Sequence, residues 1–388
     1  MHDVIVVGAG PVGCYLAAET ARAGLDVALI DRKNGASDAP ICTGIIGSEA
    51  FGRFDLPLDT VVNRIKDVRF FAPSGQSIAF QPPETQAYVV DRTRFDKVLR
   101  DRARSLGATV RTGLSCSGAS FHPSHVAVET SHGEMHARLL VIASGHSPGL
   151  ISGLQLGRTP SFFQGVQCEV TIDEHAETEI YVGNGVAPAS FAWVVNLGNG
   201  AARIGLTAKR NAGALLEKFL NAPSLGPRIR GRSPIRRKPI PFGALGKTYA
   251  DRLMVVGEAA GQVKTTTHGG IYFGLIGARH AVETALVAFR ENDFTAVMLR
   301  RYDQSWREEL EGEISRGMLL RSLFSRLSDR RIDGLFKFVH QDGIMGMIHR
   351  KARFDWHDEL ISSLMEHAFF PRFFGKRTEK SRSAAITA

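Results

Sequence analysis

The hydrophobic positions of the chain follow different periods in different regions. Near the N-terminus, the continuous apolar run at residues 4–7 predicts a strand buried on both faces of a parallel sheet. An alanine-rich segment with helical spacing follows and stops at Gly24. A second apolar run occupies residues 27–30. This order predicts a β-α-β unit within about 30 residues.

The middle of the chain changes to a period of two. Four apolar side chains fall on one face of the segment 165–173, namely Val166, Cys168, Val170 and Ile172. Residues 191–195 and 202–206 alternate in the same way, with glycine-rich turns between them. This pattern predicts an antiparallel sheet with one covered face.

The later pattern returns to the first type and then becomes helical. An apolar run followed by glycine at residues 253–257 leads into a helical segment, and beyond about residue 300 the chain is helical and basic. We therefore predict a discontinuous nucleotide-binding domain and an inserted antiparallel-sheet substrate domain, followed by a helical region and a disordered polar tail. The nucleotide-binding domain is predicted over residues 1–155 and 245–295, and the substrate domain over 156–244. The helical region is predicted over 296–375 and the polar tail over 376–388.

The loop after the first strand has the spacing G-x-G-x-x-G. Gly8 permits a tight turn, Gly10 lets the backbone approach a pyrophosphate, and Gly13 lets the helix pack closely on the strand. The phosphates are expected at the helix N-terminus, beside Pro11 and Val12. The loop predicts dinucleotide binding.

An acidic residue closes the second apolar run. Asp31 is placed to accept hydrogen bonds from the adenosine ribose hydroxyls, and Arg32 beside it could stabilise the adenine or a phosphate. These features do not separate FAD from NAD.

Residues 255–281 resemble the second flavin-binding motif of the FAD-dependent oxidoreductases built like para-hydroxybenzoate hydroxylase. The usual G-D-A-A-G appears here as G-E-A-A-G from Gly257, with Glu258 in place of aspartate. Gly269 and Gly270 stand where the family often carries three glycines, and His268 replaces the first. The resemblance implies that the acidic residue binds near the flavin ribityl chain. It also implies that a helix starting near residue 271 (Ile271) points its N-terminus at the isoalloxazine.

Two further segments match the same family. Residues 91–99 resemble its D-R-x-x-F-D-x-x-L segment, which implies that Arg92 lies near the flavin and the pyrophosphate. Residues 139–148 resemble its V-I-x-A-D-G turn, with Ser144 where aspartate is common. The matched segments imply an α/β fold with a Rossmann-like FAD-binding domain and an inserted antiparallel sheet, and they predict bound FAD.

Three features resemble the geranylgeranyl reductases within that family. They are the loop Cys42-Thr43-Gly44, the flavin-helix segment 262–275, and the segment 187–206 with Phe191 and Trp193. The resemblance implies reduction of C=C bonds in a prenyl chain, lipid or quinone, with Phe191 and Trp193 shaping the lipid cavity. Val195 and Asn196 replace an aromatic residue and a proline of the family, which predicts a cavity of different width or substrate.

Saturating an isolated C=C bond requires a hydride and a proton. Reduced flavin N5 supplies the hydride, and a nearby side chain must supply the proton. Cys42, His268 and Tyr272 can each carry an exchangeable proton, and each has an alternative interpretation as a packing or loop residue. All three are predicted as catalytic, and the loop residues Cys42, Thr43 and Gly44 are also predicted as cofactor contacts.

Two other function classes remain open. A flavin monooxygenase or halogenase shares the fold; Lys264 could serve a halogenase, but the characteristic W-x-W-x-I is absent. A non-catalytic prenyl-binding protein of the same fold is the second alternative. The electron donor could be NADPH or a ferredoxin-like protein, because the chain has no second G-x-G-x-x-G.

Charge and composition limit the partners and the compartment. The net charge is +9, and residues 228–238 contain six basic side chains and no acid, yet no nucleic-acid signature accompanies them. Four dispersed cysteines predict a reducing, cytoplasmic setting without a metal site. The sequence has no run of about 20 apolar residues, so we expect no membrane span. We also expect no signal peptide. Leucines and arginines at 319–331 could form a basic membrane-contacting surface or a helical cap on the substrate domain.

Overall fold

The computed structural model describes residues 1–34, 40–173, 177–341 and 344–367. The predicted tail 376–388 lies outside the described residues, as do residues 35–39 of the loop before Cys42.

The described strands and helices alternate along the first two thirds of the chain, and helices alone follow. The strands are β1 (His2–Val7), β2 (Val27–Asp31), β3 (Ile45–Gly47), β4 (Val61–Ile65), β5 (Val68–Phe71), β6 (Ser77–Phe80), β7 (Ala87–Val90), β8 (Thr109–Thr112), β9 (Cys116–Phe121), β10 (Val126–Thr130), β11 (Gly133–Ile142), β12 (Ser161–Ile172), β13 (Thr178–Val182), β14 (Phe191–Gly198), β15 (Ala201–Ala208), β16 (Ile229–Arg232), β17 (Arg236–Phe242), β18 (Tyr249–Ala250) and β19 (Leu253–Val255). The helices are α1 (Pro11–Arg22), α2 (Ser48–Phe54), α3 (Arg92–Ser105), α4 (Pro148–Gly153), α5 (Ala212–Leu220), α6 (Ile271–Glu291), α7 (Ala296–Phe324), α8 (Asp329–Gln341), α9 (Ile344–Lys351) and α10 (Asp358–Glu366).

The first sheet is the predicted nucleotide-binding sheet. Its main path runs β18-β19-β11-β1-β2-β8, and β1 pairs in parallel with both β2 and β11. Val4 and Val6 of β1 face a core shared with α1, α3, α6 and α7. Ile5 and Val7 face the opposite core, toward β10 and α4. The apolar run is therefore buried on both faces, as expected for a strand covered on both sides.

The second sheet has the order β16-β12-β15-β14-β13-β5-β6, with β17 also on β12. The four alternating side chains of β12 are at most 4% exposed and pack on α5, which confirms the predicted covered face. Two of its strands, β5 and β6, come from the first quarter of the chain and join through the parallel pair β5–β13. The segment 68–80, within the predicted range 1–155, is thus hydrogen-bonded into this second sheet.

The C-terminal helices cover the open end of the second sheet. Ile332 and Phe336 of α8 pack against Ile78 of β6 in a shared apolar cluster. The predicted fold class, an FAD-type α/β domain with an inserted antiparallel sheet and a C-terminal helical region, is confirmed. The helical cap over the substrate sheet, one of the two interpretations of the C-terminal pattern, is what the described helices form.

Candidate active site

The glycine loop between β1 and α1 is built from very close backbone contacts. Gly8 has φ +112°, and a Cβ there would lie 2.4 Å from the Ala143 carbonyl oxygen. A Cβ on Gly13 would lie 1.9 Å from the Gly8 carbonyl oxygen, so α1 rests directly on the loop. Gly10 differs, because a Cβ there would meet no heavy atom within 4 Å. The space in front of Gly10 is therefore open to a ligand.

The start of α1 offers unsatisfied amides to that space. Its N-cap is Gly10, with no side-chain cap, and Pro11 opens the first turn. Gly8, Gly10, Pro11 and Val12 line one large cavity. An uncapped helix N-terminus beside open space suits a pyrophosphate.

Asp31 and Arg32 line the same cavity at the tip of β2. Asp31 is already used to hold the loop, since it accepts hydrogen bonds from the amides of Ala9 at 2.7 Å and Lys33 at 2.8 Å. A carboxylate has further lone pairs, so the predicted bonds from ribose hydroxyls remain compatible with these contacts.

The second motif reaches the cavity from the opposite side. Gly257, Glu258, Gly269, Gly270 and Ile271 all line it. Glu258 pairs with the ammonium of Lys238 at 2.8 Å. The helix α6 begins after Gly270 without a side-chain cap, as α1 does after Gly10.

The two helix starts are held together by close packing. A Cβ on Gly274 of α6 would lie 2.6 Å from a Val12 methyl group of α1. Two uncapped N-termini therefore face one cavity of about 1400 Å³. The open space and the two uncapped helix starts form a cradle that fits a dinucleotide cofactor such as FAD.

Arg92 lies on the cavity wall. Its guanidinium is largely buried and binds the Asp96 carboxylate through two hydrogen bonds of 3.1 Å. Asp91 caps α3 by accepting the amides of Thr93 and Arg94, so the aspartate fixes the helix start that carries Arg92.

Cys42 faces the same region of the cavity. Its Sγ accepts a hydrogen bond from the Gly44 amide at 3.4 Å. Burial raises the pKa of the Cys42 thiol. The charges of Arg92 and Lys238 and the hydrogen bonds from Gly44 and Arg92 outweigh burial, and the resulting pKa is lowered. Thr43 also lines the cavity. Gly44 does not line it and packs against the Val90 backbone.

His268 occupies an unusual backbone position. Its φ is +63°, in the left-handed region that favours glycine, at the place where the family has one. Both ring nitrogens are shielded from solvent and have no hydrogen-bond partner among the described residues. Burial, and to a smaller extent the charge of Arg321, lower the pKa of His268 well below its usual range. The imidazole is therefore neutral at neutral pH.

Tyr272 points away from the cavity. Its hydroxyl donates to the Glu49 carboxylate at 2.5 Å and accepts from Arg53 at 3.2 Å. The ring packs edge-on against Phe54 and Trp356 in the core of the first domain. Burial and the bond to Glu49 raise the pKa of Tyr272. The structure thus separates Tyr272 from the other predicted catalytic residues.

The part of the cavity beside the second sheet is mostly apolar. Phe191 and Trp193 line it, and the lining also includes Phe70 and Phe80 of the second sheet and Phe336 of α8. Val195 and Asn196 do not reach it. Val195 is buried beside Ile65, and the Asn196 side chain accepts the Gly198 amide at 2.7 Å, so this departure from the family changes a core and a turn.

The sequence patterns did not indicate three features around the cavity. The first is Arg321, which was grouped with a basic surface but is 8% exposed and lines the cavity. The second is an ion pair of 2.5 Å between Lys264 and Asp355, both almost fully buried. The third is His357, whose Nδ1 lies 2.8 Å from the Thr266 hydroxyl. Each joins the flavin loop to the C-terminal helices across long sequence separations.

The basic run 228–238 is mostly neutralised. Four of its six cations form ion pairs with carboxylates of neighbouring elements: Arg228 with Glu179, Arg230 with Asp173, Arg232 with Glu217 and Lys238 with Glu258. The run thus supports the second sheet and the cofactor cradle.

Comparisons with known proteins agree with this geometry. A family profile described as lycopene cyclase protein matches residues 3–182. The digeranylgeranylglycerophospholipid reductase of Methanocaldococcus jannaschii is 31% identical over 364 residues, which cover 89% of this chain and 92% of that protein.

Solved structures share the fold. A geranylgeranyl bacteriochlorophyll reductase-like protein of Thermoplasma acidophilum superposes with a TM-score of 0.84 at 22% identity, covering 95% of this chain and 96% of the other. The p-nitrophenol 4-monooxygenase of Pseudomonas putida superposes with a TM-score of 0.71 at 18% identity, covering 90% and 97%.

The fold, shared with both solved structures, is that of the para-hydroxybenzoate hydroxylase-like class. Within that class, the 31% sequence identity over 89% of the chain assigns the protein to one family. The chain belongs to the digeranylgeranylglycerophospholipid reductase family. The predicted resemblance to geranylgeranyl reductases, the enzyme class and the FAD-binding fold are confirmed.

Proposed function

We propose that this flavoenzyme saturates C=C bonds in the geranylgeranyl-type chains of a prenyl lipid. The observation that carries the proposal is the single cavity of about 1400 Å³ that joins the cofactor cradle to an apolar channel. A prenyl chain lying in that channel would bring its double bonds to the cradle. The related reductase from M. jannaschii is named for such a lipid, a digeranylgeranylglycerophospholipid.

The residues that would hold FAD lie on both sides of the cradle. The α1 amides beyond Gly10 would bind the pyrophosphate, and the start of α6 beyond Gly270 would face the flavin ring. Reduced FAD, when bound, supplies a hydride to one carbon of the C=C bond. The other carbon then needs a proton.

Cys42 is the proton donor that we propose. Its S–H bond breaks as a C–H bond forms at the second carbon, and the resulting thiolate later takes a proton from solvent. Arg92, Lys238 and the Gly44 amide stabilise that thiolate, which is the physical meaning of the lowered pKa of Cys42. Two electrons leave the cofactor with the hydride, and the alkene becomes an alkane.

The other two predicted donors are less suited. His268 lines the cavity but is neutral, because burial lowers its pKa. Its role in the proposal is to contact the substrate. Tyr272 is bound to Glu49 outside the cavity lining, so we assign it no proton transfer.

The halogenase alternative requires a free amine beside the flavin. Lys264 is the lysine at that place, and its ammonium is held 2.5 Å from the Asp355 carboxylate. That pairing disfavours halogenation. An anaerobic experiment distinguishes the reductase from a monooxygenase and from a non-catalytic binding protein.

The electron donor and the compartment remain predictions. NADPH binding transiently, or a ferredoxin-like protein, would reduce the flavin. None of the helices in the described part of the chain combines the length and apolar composition that a bilayer-spanning helix needs. We also propose peripheral membrane contact through the C-terminal region.

One anaerobic experiment tests the proposal. The purified yellow protein is reduced with dithionite and mixed with a geranylgeranyl glycerophospholipid, while flavin absorbance and lipid mass are followed together. Reoxidation of the flavin with a gain of two mass units per double bond is the expected result. Flavin that stays reduced until air is admitted would replace the reductase with a monooxygenase. Protein without flavin would favour the binding protein.

A further inference from the structure

The three backbone carbonyl groups of the loop Cys42-Thr43-Gly44 are all bound by residues that lie far away in the sequence. The carbonyl oxygen of Cys42 accepts a hydrogen bond from Nε2 of Gln167 at 3.0 Å. The carbonyl oxygen of Thr43 accepts one from Nη1 of Arg203 at 2.5 Å, and that of Gly44 accepts the last amide of β7 at 3.0 Å. Two of the three donors are therefore side chains of the second sheet, 125 and 160 residues away from the loop.

Strand geometry places Gln167 and Arg203 on the same face of the second sheet. On β12, Val166 and Cys168 point toward α5, so Gln167 and Glu169 point to the opposite face. Arg203 of β15 lies directly opposite Glu169 and pairs with it at 2.6 Å. The Gln167 residue is 9% exposed, and the Arg203 side chain is 11% exposed. The sheet thus orders both donors where they meet the loop.

The bond from Arg203 also fixes the donor that faces the Cys42 sulfur. A trans peptide group is planar, and its C=O and N–H bonds point in opposite directions. The Thr43 carbonyl and the Gly44 amide belong to one such group. Because Arg203 holds the carbonyl end, the N–H end is directed at Cys42 Sγ, which the nitrogen approaches at 3.4 Å. A cation on the carbonyl also polarises the peptide and strengthens the bond that its amide donates.

Gly44 allows this arrangement to form. Its φ is +78°, in the left-handed region that favours glycine. A Cβ there would lie 2.6 Å from the Val90 carbonyl oxygen and 3.1 Å from Nη1 of Arg203. The guanidinium therefore approaches the loop at a position that is shaped for glycine.

The charged groups that act on the Cys42 thiol come from other elements. Burial raises the pKa of the thiol, and the charges of Arg92 on α3 and Lys238 on β17 lower it, followed by the loop amide. Each of these cations pairs with a carboxylate, Arg92 with Asp96 and Lys238 with Glu258. The charge beside the sulfur thus comes from α3 and β17, whereas the orientation of the loop comes from β12 and β15.

We propose that Gln167 and Arg203 are positioning residues for Cys42, which hold its loop on the second sheet and aim the Gly44 amide at its sulfur. Both act through the loop backbone. The proposal rests on the proposed function, in which Cys42 is the proton donor. Because β12 also lines the cavity, one sheet would position both the thiol and the lipid.

The thiol is titrated without turnover in the oxidised, FAD-loaded protein. Cys42 is half-buried and lines the cavity, so iodoacetamide can reach it, and peptide mass spectrometry separates its label from that of Cys116. The quantity measured is the pH midpoint of the alkylation rate. Arg203→Met should raise this midpoint by about one pH unit, the effect of losing one hydrogen bond to the thiolate. Gln167→Leu should raise it by a smaller amount, because it frees only the Cys42 carbonyl.

Two control variants separate the loop contact from charge and from the ion pair. Arg230→Met removes an exposed arginine of the same sheet that pairs with Asp173. Glu169→Gln removes the ion-pair partner of Arg203 but keeps the donor to Thr43. Both variants should leave the midpoint unchanged. A rise in Glu169→Gln equal to that in Arg203→Met would overturn the proposal, since the ion pair would then control the thiol.

Visible flavin absorbance is recorded for every variant. An unchanged midpoint in FAD-loaded Arg203→Met and Gln167→Leu would overturn the proposal, and Gln167→Leu decides alone if only Arg203→Met loses FAD. Loss of FAD from both would also overturn it, because the two side chains would then support the cofactor cradle. Failure of the proposed function looks different. In that case the midpoint would still rise in Arg203→Met, while the parent protein with reduced flavin would saturate no C=C bond of a geranylgeranyl glycerophospholipid.

Discussion

The buried pair of Lys264 and Asp355 allows a quantitative test of how the C-terminal segment supports the flavin loop. The side chains are 6% and 3% exposed, with 2.5 Å between the charged atoms. At that distance and an effective dielectric constant of about 20, the attraction is about 7 kcal/mol. Asp355→Asn removes this attraction, but it also removes the desolvation cost of the buried carboxylate, which offsets about 2–4 kcal/mol. Asp355→Asn should therefore lower the free energy of unfolding by about 3–5 kcal/mol.

Asp355→Asn lowers the stability because the Lys264 ammonium stays buried without a counter-ion. Lys264 also lies over the Phe354 ring at 4.6 Å and packs against Gly269, so its ammonium is enclosed by the loop and the C-terminal segment. Replacing both charges, as in Lys264→Met with Asp355→Leu, should recover most of the stability because no charge remains buried. FAD retention should follow the same order as stability, since Lys264 begins the loop that leads to Gly270.

The assay is urea unfolding of the FAD-loaded protein followed by tryptophan fluorescence, with flavin release recorded in parallel. Asp101→Asn is the matched control, because Asp101 pairs with Lys97 at 2.6 Å on the surface, where the side chains are 44% and 71% exposed. It should cost no more than about 1 kcal/mol. If Asp355→Asn were no more destabilising than Asp101→Asn, the inference that the pair supports the loop would be wrong.

Three further predictions concern the cofactor cradle and the proton donor. Gly10→Val should fold normally but lose FAD, because a Cβ there meets no protein atom within 4 Å and the side chain would fill the proposed pyrophosphate space. Visible absorbance after purification checks this, and Gly52→Val, at another open position, should stay yellow. Cys42→Ala should keep FAD and slow C=C reduction by about 10²–10⁴. In the parent protein the rate should fall as pH rises through the lowered pKa of Cys42, since the thiol donates only below that pKa, and the variant should lack this fall in stopped-flow traces. Tyr272→Phe should reduce lipid at nearly the parental rate, because the hydroxyl binds Glu49 outside the cavity, and a hundredfold loss would return Tyr272 to the mechanism.

The cofactor half of the site was predictable because its chemistry is local in the sequence. Gly8, Gly10 and Asp31 fall within one β-α-β unit, where strand, turn and helix signals agree. The alternation of Val166 and Ile172 likewise depends on neighbours two residues apart, and the covered face followed from it.

The substrate half was less predictable because its contacts join distant parts of the chain. Arg321 reaches Ser190 across 131 residues, and Lys264 reaches Asp355 across 91. Helical periodicity placed Arg321 with exposed arginines, since the pattern cannot distinguish a solvated cation from one facing an internal cavity. The family resemblance also assigned Tyr272 correctly to the flavin helix but carried no information on which side of that helix its hydroxyl lies.

These long-range contacts determine how the two halves depend on each other. The loop from Lys264 to Gly270 presents α6 to the cofactor, and the C-terminal segment holds it through Asp355 and through His357, which bonds Thr266. The same segment supplies cavity wall at His357 and along α10. Under the proposed function, a lipid in the channel would contact the residues that fix this loop, and a cofactor that orders the loop would stabilise the channel wall. Because binding couplings are reciprocal, the proposed function predicts that the C-terminal helices affect cofactor binding and lipid binding together.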